Sequence, residues 1–226
     1  MKLKSFGCSF IFGSDLPDIG NSYYAYGSNF TWPALLAKQL NYDYRCYAKP
    51  SSGNLQILER LLNEATNDQS VIYVVQWSWI DRFDYIDERP ENYWPGTKWE
   101  SIVPASNDNL AKTYYKHLHS QYQDKLLSLI YIKTAIDTMI EKQIPFIMTY
   151  IDDLIFETEW HSSPAIQELQ EYIRPHMITF EDQTFLEWSR KKGFPISETH
   201  HPLEQAHSEA VKVLYKQNTI DRLRLA

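Results

Sequence analysis

Cysteine is scarce in this chain, with only Cys8 and Cys46 among 226 residues. Two thiols in so long a sequence make no disulfide framework, so both are expected reduced and the chain cytoplasmic. Basic runs are missing as well. Acidic residues number 29 against 22 Lys and Arg, for a formal charge of -7, which argues against a phosphate-backbone partner, so no nucleic acid is expected. No stretch approaches the ~18 uninterrupted apolar residues that cross a bilayer, so no membrane partner is expected either. Lys2 and Lys4 ahead of Phe6 to Phe12 imitate an export signal, but the apolar part before Cys8 is too short and Asp15 follows at once. Internal repeats and low-complexity tracts are also lacking. What is there suffices for one sizeable core: 43% hydrophobic residues over a length that fits a single domain, 1–226. Tyrosine (16) and tryptophan (7) exceed what a core needs, which points some of them toward a wet groove or an interface.

Strands and helices alternate along the sequence. A short apolar run ends at Gly7, and residues 16 to 30 form a loop. Trp32, Leu35, Leu36 and Leu40 then recur at helical spacing after Thr31, with Pro33 just inside the start. Tyr42 to Tyr47 alternates as an edge strand, and Leu55, Leu58, Leu61 and Leu62 mark a second helix. Val71 to Val75 is a continuous apolar run rich in β-branched residues, as in a strand covered on both faces, and belongs at the sheet centre. An aromatic, Pro-containing stretch around 83–108 reads as an insertion shaping a groove. Leu129, Ile132, Ile136, Met139 and Ile140 stripe one long helix over about 110–142, followed by a strand over 144–151. Helices over 164–173, 181–192 and about 203–225 complete the order, with Phe194 to Ile196 a stub of strand. Such alternation predicts a three-layer α/β/α domain with a flavodoxin-like parallel sheet of about five strands. Asp152 and Asp153 after a strand read as a turn or helix cap, so neither metal nor cofactor is assigned.

Two distant stretches carry the candidate chemistry. Ser9 lies in the turn after the first strand, where an open α/β sheet presents residues to its ligand crevice. A serine there is also an ordinary turn residue. Far downstream, Glu198-Thr199-His200-His201-Pro202 places a carboxylate three residues before a histidine, close enough in a loop to reach Nδ1 and leave Nε2 for a serine proton. His200 and His207 are neighbouring alternatives to His201. Cys8 competes with Ser9 as nucleophile, although alternation turns its side chain from the crevice if Ser9 faces it.

These stretches resemble the short blocks of the SGNH, or GDSL-type, hydrolase superfamily. Gly7-Cys8-Ser9-Phe10 is similar to the block bearing the nucleophile, with Cys8 in place of the usual aspartate. Ala48 to Asn54 resembles the second block, in which a glycine N–H serves the oxyanion; Gly53, with Asn54 beside it, fits that role. Glu198 and His201 resemble the last block. The third block departs from the pattern, because Gln76-Trp77-Ser78-Trp79 stands where Gly-x-Asn is usual. Ser78 through its hydroxyl or Gln76 through its amide then replaces the missing donor, and Arg82 is placed to bind an acidic substrate group. The resemblance implies a Ser9-His201-Glu198 ester hydrolase of small acyl groups, acetyl for example, on a small molecule or carbohydrate. Tyr23, Tyr24, Trp94 and Trp99 are candidates to stack on sugar rings. Two alternatives stay open: a glycan-binding module on the same scaffold, and an acyltransferase using the same serine.

Overall fold

A computed structural model describes residues 1–19, 26–87 and 99–217. Four parallel strands form the main sheet: β1 (Lys2–Phe6), β2 (Asp43–Cys46), β3 (Val71–Trp77) and β6 (Phe146–Tyr150), in the order β2-β1-β3-β6. Every residue of β3 is buried, which is why it reads as one apolar run, and it lies between β1 and β6. Its side chains alternate between two cores. Val74 joins Leu3 and Ile147 under α2 (Trp32–Leu40), α7 (Phe185–Lys191) and α8 (Glu204–Lys216), with Trp32, Leu36, Trp188 and Leu214 packed there. Tyr73, Val75 and Trp77 face α3 (Asn54–Glu64), α5 (Gln121–Glu141) and α6 (Pro164–Ile173) through Ile57, Leu61, Ile132, Ile136 and Ile166. The result is a three-layer α/β/α sandwich.

Strand order sets the place of the site. From β1 the chain moves outward to the edge strand β2 and then returns across β1 to β3. The crevice of such a sheet opens outside the carboxyl ends of the strands where the order reverses, here β1 and β3.

Several elements differ from the sequence reading. Among the described residues the main sheet has four strands, close to the expected number of about five. On the outer edge of β6 there is a single parallel bridge, Met148 to Met177, with the Ile178 N–H donating to the Met148 carbonyl at 2.8 Å. A short 3-10 turn containing Pro175 leads into that bridge, and proline cannot extend a ladder with an N–H. Phe194 to Ile196 makes only one antiparallel bridge, Ile196 to Pro202, which closes the loop that carries His201. The helix expected over 110–142 is two, α4 (Asn109–His117) and α5. Ser120 turns extended between them and accepts from the Gln123 N–H at 3.3 Å. α7 begins at Phe185, because Glu181 and Asp182 take left-handed φ of 51° and 63°. Both ends of the 83–108 stretch pair as an antiparallel ribbon of β4 (Phe83–Ile86) and β5 (Trp99–Ile102). Among the described residues no helix is long and apolar enough to cross a membrane.

Candidate active site

The turn after β1 is tight because Gly7 permits it. A Cβ there would lie 2.8 Å from Ile11 Cγ1 and 3.1 Å from the Gln76 carbonyl. Cys8 takes the N-cap position of a one-turn helix, α1 (Ser9–Phe12), and is buried in the core. Ser9 is the first helical residue. Gly13, at φ 78°, then ends the turn with its N–H on the Ser9 carbonyl at 2.7 Å, and a side chain there would strike Ser28. This reversal brings Asp15 back toward the hydroxyl of Ser9.

His201 arrives from the opposite side of the crevice, on a loop that folds on itself. The Ser197 N–H donates to the His201 carbonyl at 2.9 Å, the His200 N–H donates to the Ser197 carbonyl at 3.0 Å, and His200 sits at φ 68°. Phe10 meets the His201 ring edge-on at 5.1 Å and fixes its plane. His201 Nε2 lies 2.8 Å from Ser9 Oγ, and Nδ1 lies 2.6 Å from Asp15 Oδ2. Nδ1 beside a carboxylate carries the proton, which leaves Nε2 to accept from the Ser9 hydroxyl. Asp15 Oδ2 also accepts from Ser197 Oγ at 2.5 Å and from Thr199 Oγ1. Burial pushes the Asp15 carboxyl up, yet hydrogen bonds from Ser197, Thr199 and His201 outweigh it and hold the group below its ordinary value. A hydroxyl, an imidazole and an ionised carboxylate in series can turn the hydroxyl into a nucleophile.

Glu198 is not part of this series, which corrects the expected acid. Ser197, Thr199 and His201 alternate along the loop and all reach Asp15, so Glu198 and His200 point the other way and are exposed. Nothing local in the sequence marks Asp15. The only hint was an acid in the loop just beyond the candidate serine, brought round by a glycine. His207 is buried, its Nδ1 accepting the Trp32 N–H at 3.0 Å, and burial lowers its pKa to about 3; it is a neutral core group.

The expected oxyanion donors are held differently. The Gly53 N–H donates to Asp84 Oδ1 at 2.9 Å, so this amide is taken by a carboxylate from β4. Asp84 also accepts from the Gln56 N–H at 2.9 Å and Ser101 Oγ at 2.5 Å, and so caps α3 and pins the ribbon against it. Burial raises the Asp84 carboxyl despite those donors. Asn54 is committed internally. Its Nδ2 donates to the Ser78 carbonyl at 3.3 Å and Ser128 Oγ at 3.0 Å, and its Oδ1 accepts the Ser78 N–H at 2.7 Å. Gln76 and Ser78 are fully buried, and their side-chain polar atoms have no hydrogen-bond partner. Arg60 underlies the loop, donating to Ser52 Oγ at 2.8 Å, Gln56 Oε1 at 3.1 Å and the Gly7 carbonyl at 3.4 Å. Burial brings its pKa down to about 10 against the pull of Asp84.

Trp77 belongs to the core, whereas Trp79 packs edge-on against Phe10 at 5.4 Å. Arg82 lies over the Trp79 ring at 4.7 Å and donates to the Ser52 carbonyl at 3.1 Å. Trp99 is half-buried in β5, and Tyr23, Tyr24 and Trp94 lie outside the described residues. Asp152 caps its turn, accepting from the N–H groups of Ile80 at 2.9 Å and Leu154 at 3.0 Å. Among the described residues no cluster of three or more His, Cys, Asp or Glu is arranged to hold a metal ion.

No protein-family model matches this sequence, and no curated protein matches it. Solved structures do. An acetylxylan esterase from Geobacillus stearothermophilus, solved as a catalytic mutant, aligns with a TM-score of 0.52 and 10% identity over 95% of this chain and 92% of that one. A psychrotrophic esterase from Pseudoalteromonas sp. gives 0.51 and 8% over 95% and 94%. A member of the lipolytic protein G-D-S-L family from Veillonella parvula gives 0.50 and 12% over 96% and 97%. This chain therefore shares its fold with these esterases and with that G-D-S-L lipolytic protein over nearly its whole length.

Proposed function

We propose that the protein is a serine ester hydrolase in which Ser9 is the nucleophile, His201 the general base and Asp15 the acid that orients it. One observation carries the reading: Ser9 Oγ at 2.8 Å from His201 Nε2 while Asp15 Oδ2 lies 2.6 Å from Nδ1. The fold shared with esterases supports it. In the reaction His201 Nε2 takes the hydroxyl proton as Ser9 Oγ bonds to the ester carbonyl carbon. The tetrahedral intermediate then collapses, and His201 returns the proton to the departing alcohol. Water, deprotonated by the same nitrogen, attacks the acyl-serine and releases the acid. The Ser9 N–H, at the uncapped start of α1, is the main-chain donor available to the developing oxyanion. The substrates are small acyl esters, acetyl among them, on a small molecule or a carbohydrate.

A fluorophosphonate probe followed by peptide mapping tests this reading. Labelling at Ser9 that disappears in His201→Ala, together with p-nitrophenyl acetate turnover abolished in Ser9→Ala, is the expected result; labelling elsewhere or none would reject it. A second reading, a glycan-binding module, draws on the Gly53 amide being occupied by Asp84. Glycan binding that persists in Ser9→Ala, with no acyl ester turned over, would select it. Product forming on an added alcohol faster than on water would instead select acyl transfer.

A further inference from the structure

The crevice holds two arginines in opposite circumstances. Arg60 is surrounded by three protein acceptors beneath the loop. Arg82 is half-buried at the rim, and one acceptor, the Ser52 carbonyl at 3.1 Å, engages its Nη1. Its guanidinium carbon lies over Trp79, 4.7 Å from the ring centroid. Among the described residues no carboxylate lies within ion-pair distance of it, although the partly buried Asp81 carboxyl next to it feels its charge. A guanidinium offers five N–H donors in a planar fork, so most of this fork is left for a ligand. Stacking on an indole and tethering to a main-chain carbonyl hold the side chain in place in advance, and a pre-organised cation is what discriminates between ligands.

Its position ties it to the reacting groups. Trp79 touches Phe10 at 5.4 Å, and Phe10 touches the His201 ring at 5.1 Å. On the other side, Ser52, whose carbonyl holds Arg82, lies one residue before Gly53 in the loop that follows β2. The acid nearest the reacting groups, Asp15, is already bonded to His201, Ser197 and Thr199 and so does not compete for the cation.

We propose that Arg82 on its Trp79 platform is the specificity determinant of this site and selects esters that carry a carboxylate close to the scissile bond. The inference rests on the serine hydrolase reading. A bidentate guanidinium–carboxylate pair next to the ester fixes the substrate as well as attracting it.

Two matched pairs of esters test this. One places the carboxylate on the acyl side, the mono-p-nitrophenyl ester of glutaric acid against p-nitrophenyl valerate. The other places it on the alcohol side, 4-acetoxybenzoate against 4-acetoxybenzamide. In the wild type kcat/KM should favour the anionic member of at least one pair by about tenfold or more, the effect of one good charged contact. Arg82→Gln should collapse that ratio and Arg82→Lys should restore part of it. A wild type that prefers neither anionic ester, or an Arg82→Gln variant that loses anionic and neutral esters in equal proportion, overturns the proposal. Labelling of Ser9 by the fluorophosphonate scores the hydrolase reading separately. Should that reading fail, calorimetric titration with glutarate decides. Binding that Arg82→Gln removes sustains the anion site, and no binding at millimolar glutarate rejects it.

Discussion

The two sides of the crevice are built on opposite principles. On the side of residues 9–15 and 197–201, polar groups meet at the surface, with the His201 side chain 17% and the Asp15 side chain 30% exposed. On the side of residues 52–56 and 78–84, Ser52, Asn54, Gln56 and Asp84 are all buried, and they hydrogen-bond to one another, to Ser78 and to the ribbon. The proposed proton transfer belongs to the first side, where the His201 and Asp15 side chains stay partly exposed. The second side is largely closed: the N–H groups of Gly53 and Gln56 and the Asn54 amide already have acceptors, so apart from the rim guanidinium of Arg82 and the unpaired Ser78 hydroxyl it holds a shape and has little left to give a reacting atom. Burial separates a scaffold from a working site even where the residue types are the same.

The largest effects should come from the open side. Ser9→Ala and Asp15→Asn should each lower kcat for p-nitrophenyl acetate by about 10³-fold or more, with the fold retained by circular dichroism. Asp15→Asn works through the imidazole, since an amide in place of the carboxylate no longer fixes the proton on Nδ1. If Asp15→Asn is as active as the wild type, the acid is elsewhere and the assignment of this side fails.

A smaller effect, on stability first, should follow from breaking the closed side. Asp84→Ala leaves the N–H groups of Gly53 and Gln56 without their carboxylate. At about 1–3 kcal/mol for each buried orphan, the urea midpoint should fall clearly while kcat falls less than in Asp15→Asn. A rise in kcat would show instead that Asp84 masks a useful donor in the Gly53 amide, which would redraw the division between the two sides.

His207 offers a subtler pH test of the core beneath the open side. Its pKa is lowered from 6.5 to about 3 by burial, so between these values the unfolded chain binds a proton that the folded chain does not. Stability from this group is full above 6.5 and drains away as pH falls toward 3. Asp15, also lowered, contributes the same sign only below its ordinary 3.8. The difference in urea midpoint between wild type and His207→Gln should therefore shrink from pH 7 to pH 5, a change that carboxylates common to both proteins cannot produce.

The sheet was legible in the sequence because burial on two faces writes itself as an apolar run, as in Val71 to Val75, and helix faces repeat every three or four residues. The meeting of Ser9 with His201 was legible because the two follow a strand and precede a helix, places where a sheet of this kind presents side chains. The acid was not. Spacing alone favours Glu198, but the alternation of a loop in which Ser197 and His201 bond to each other turns that residue outward. The state of the Gly53 amide was equally hidden, since Asp84 reaches it from a ribbon 31 residues further along. Contacts made by chain reversal and by distant loops leave no period in the sequence.

The smallest effects belong to the two residues that sequence position alone makes attractive. Glu198→Gln should change kcat/KM by no more than about twofold, because a solvated side chain with no part in the Asp15 network gives the imidazole nothing to lose. Cys8→Ala should behave alike in turnover and cost about 1 kcal/mol in stability, the scale of a small cavity in a packed core. Cys8 adjoins Ser9 in sequence and is 0% exposed, packed in the core that also holds Ile11, Trp32 and Leu36. Iodoacetamide should consequently reach it only as fast as the protein opens. If Cys8→Ala instead matches Ser9→Ala in lost turnover, the reacting atom is sulfur, and the open side has been drawn around the wrong side chain.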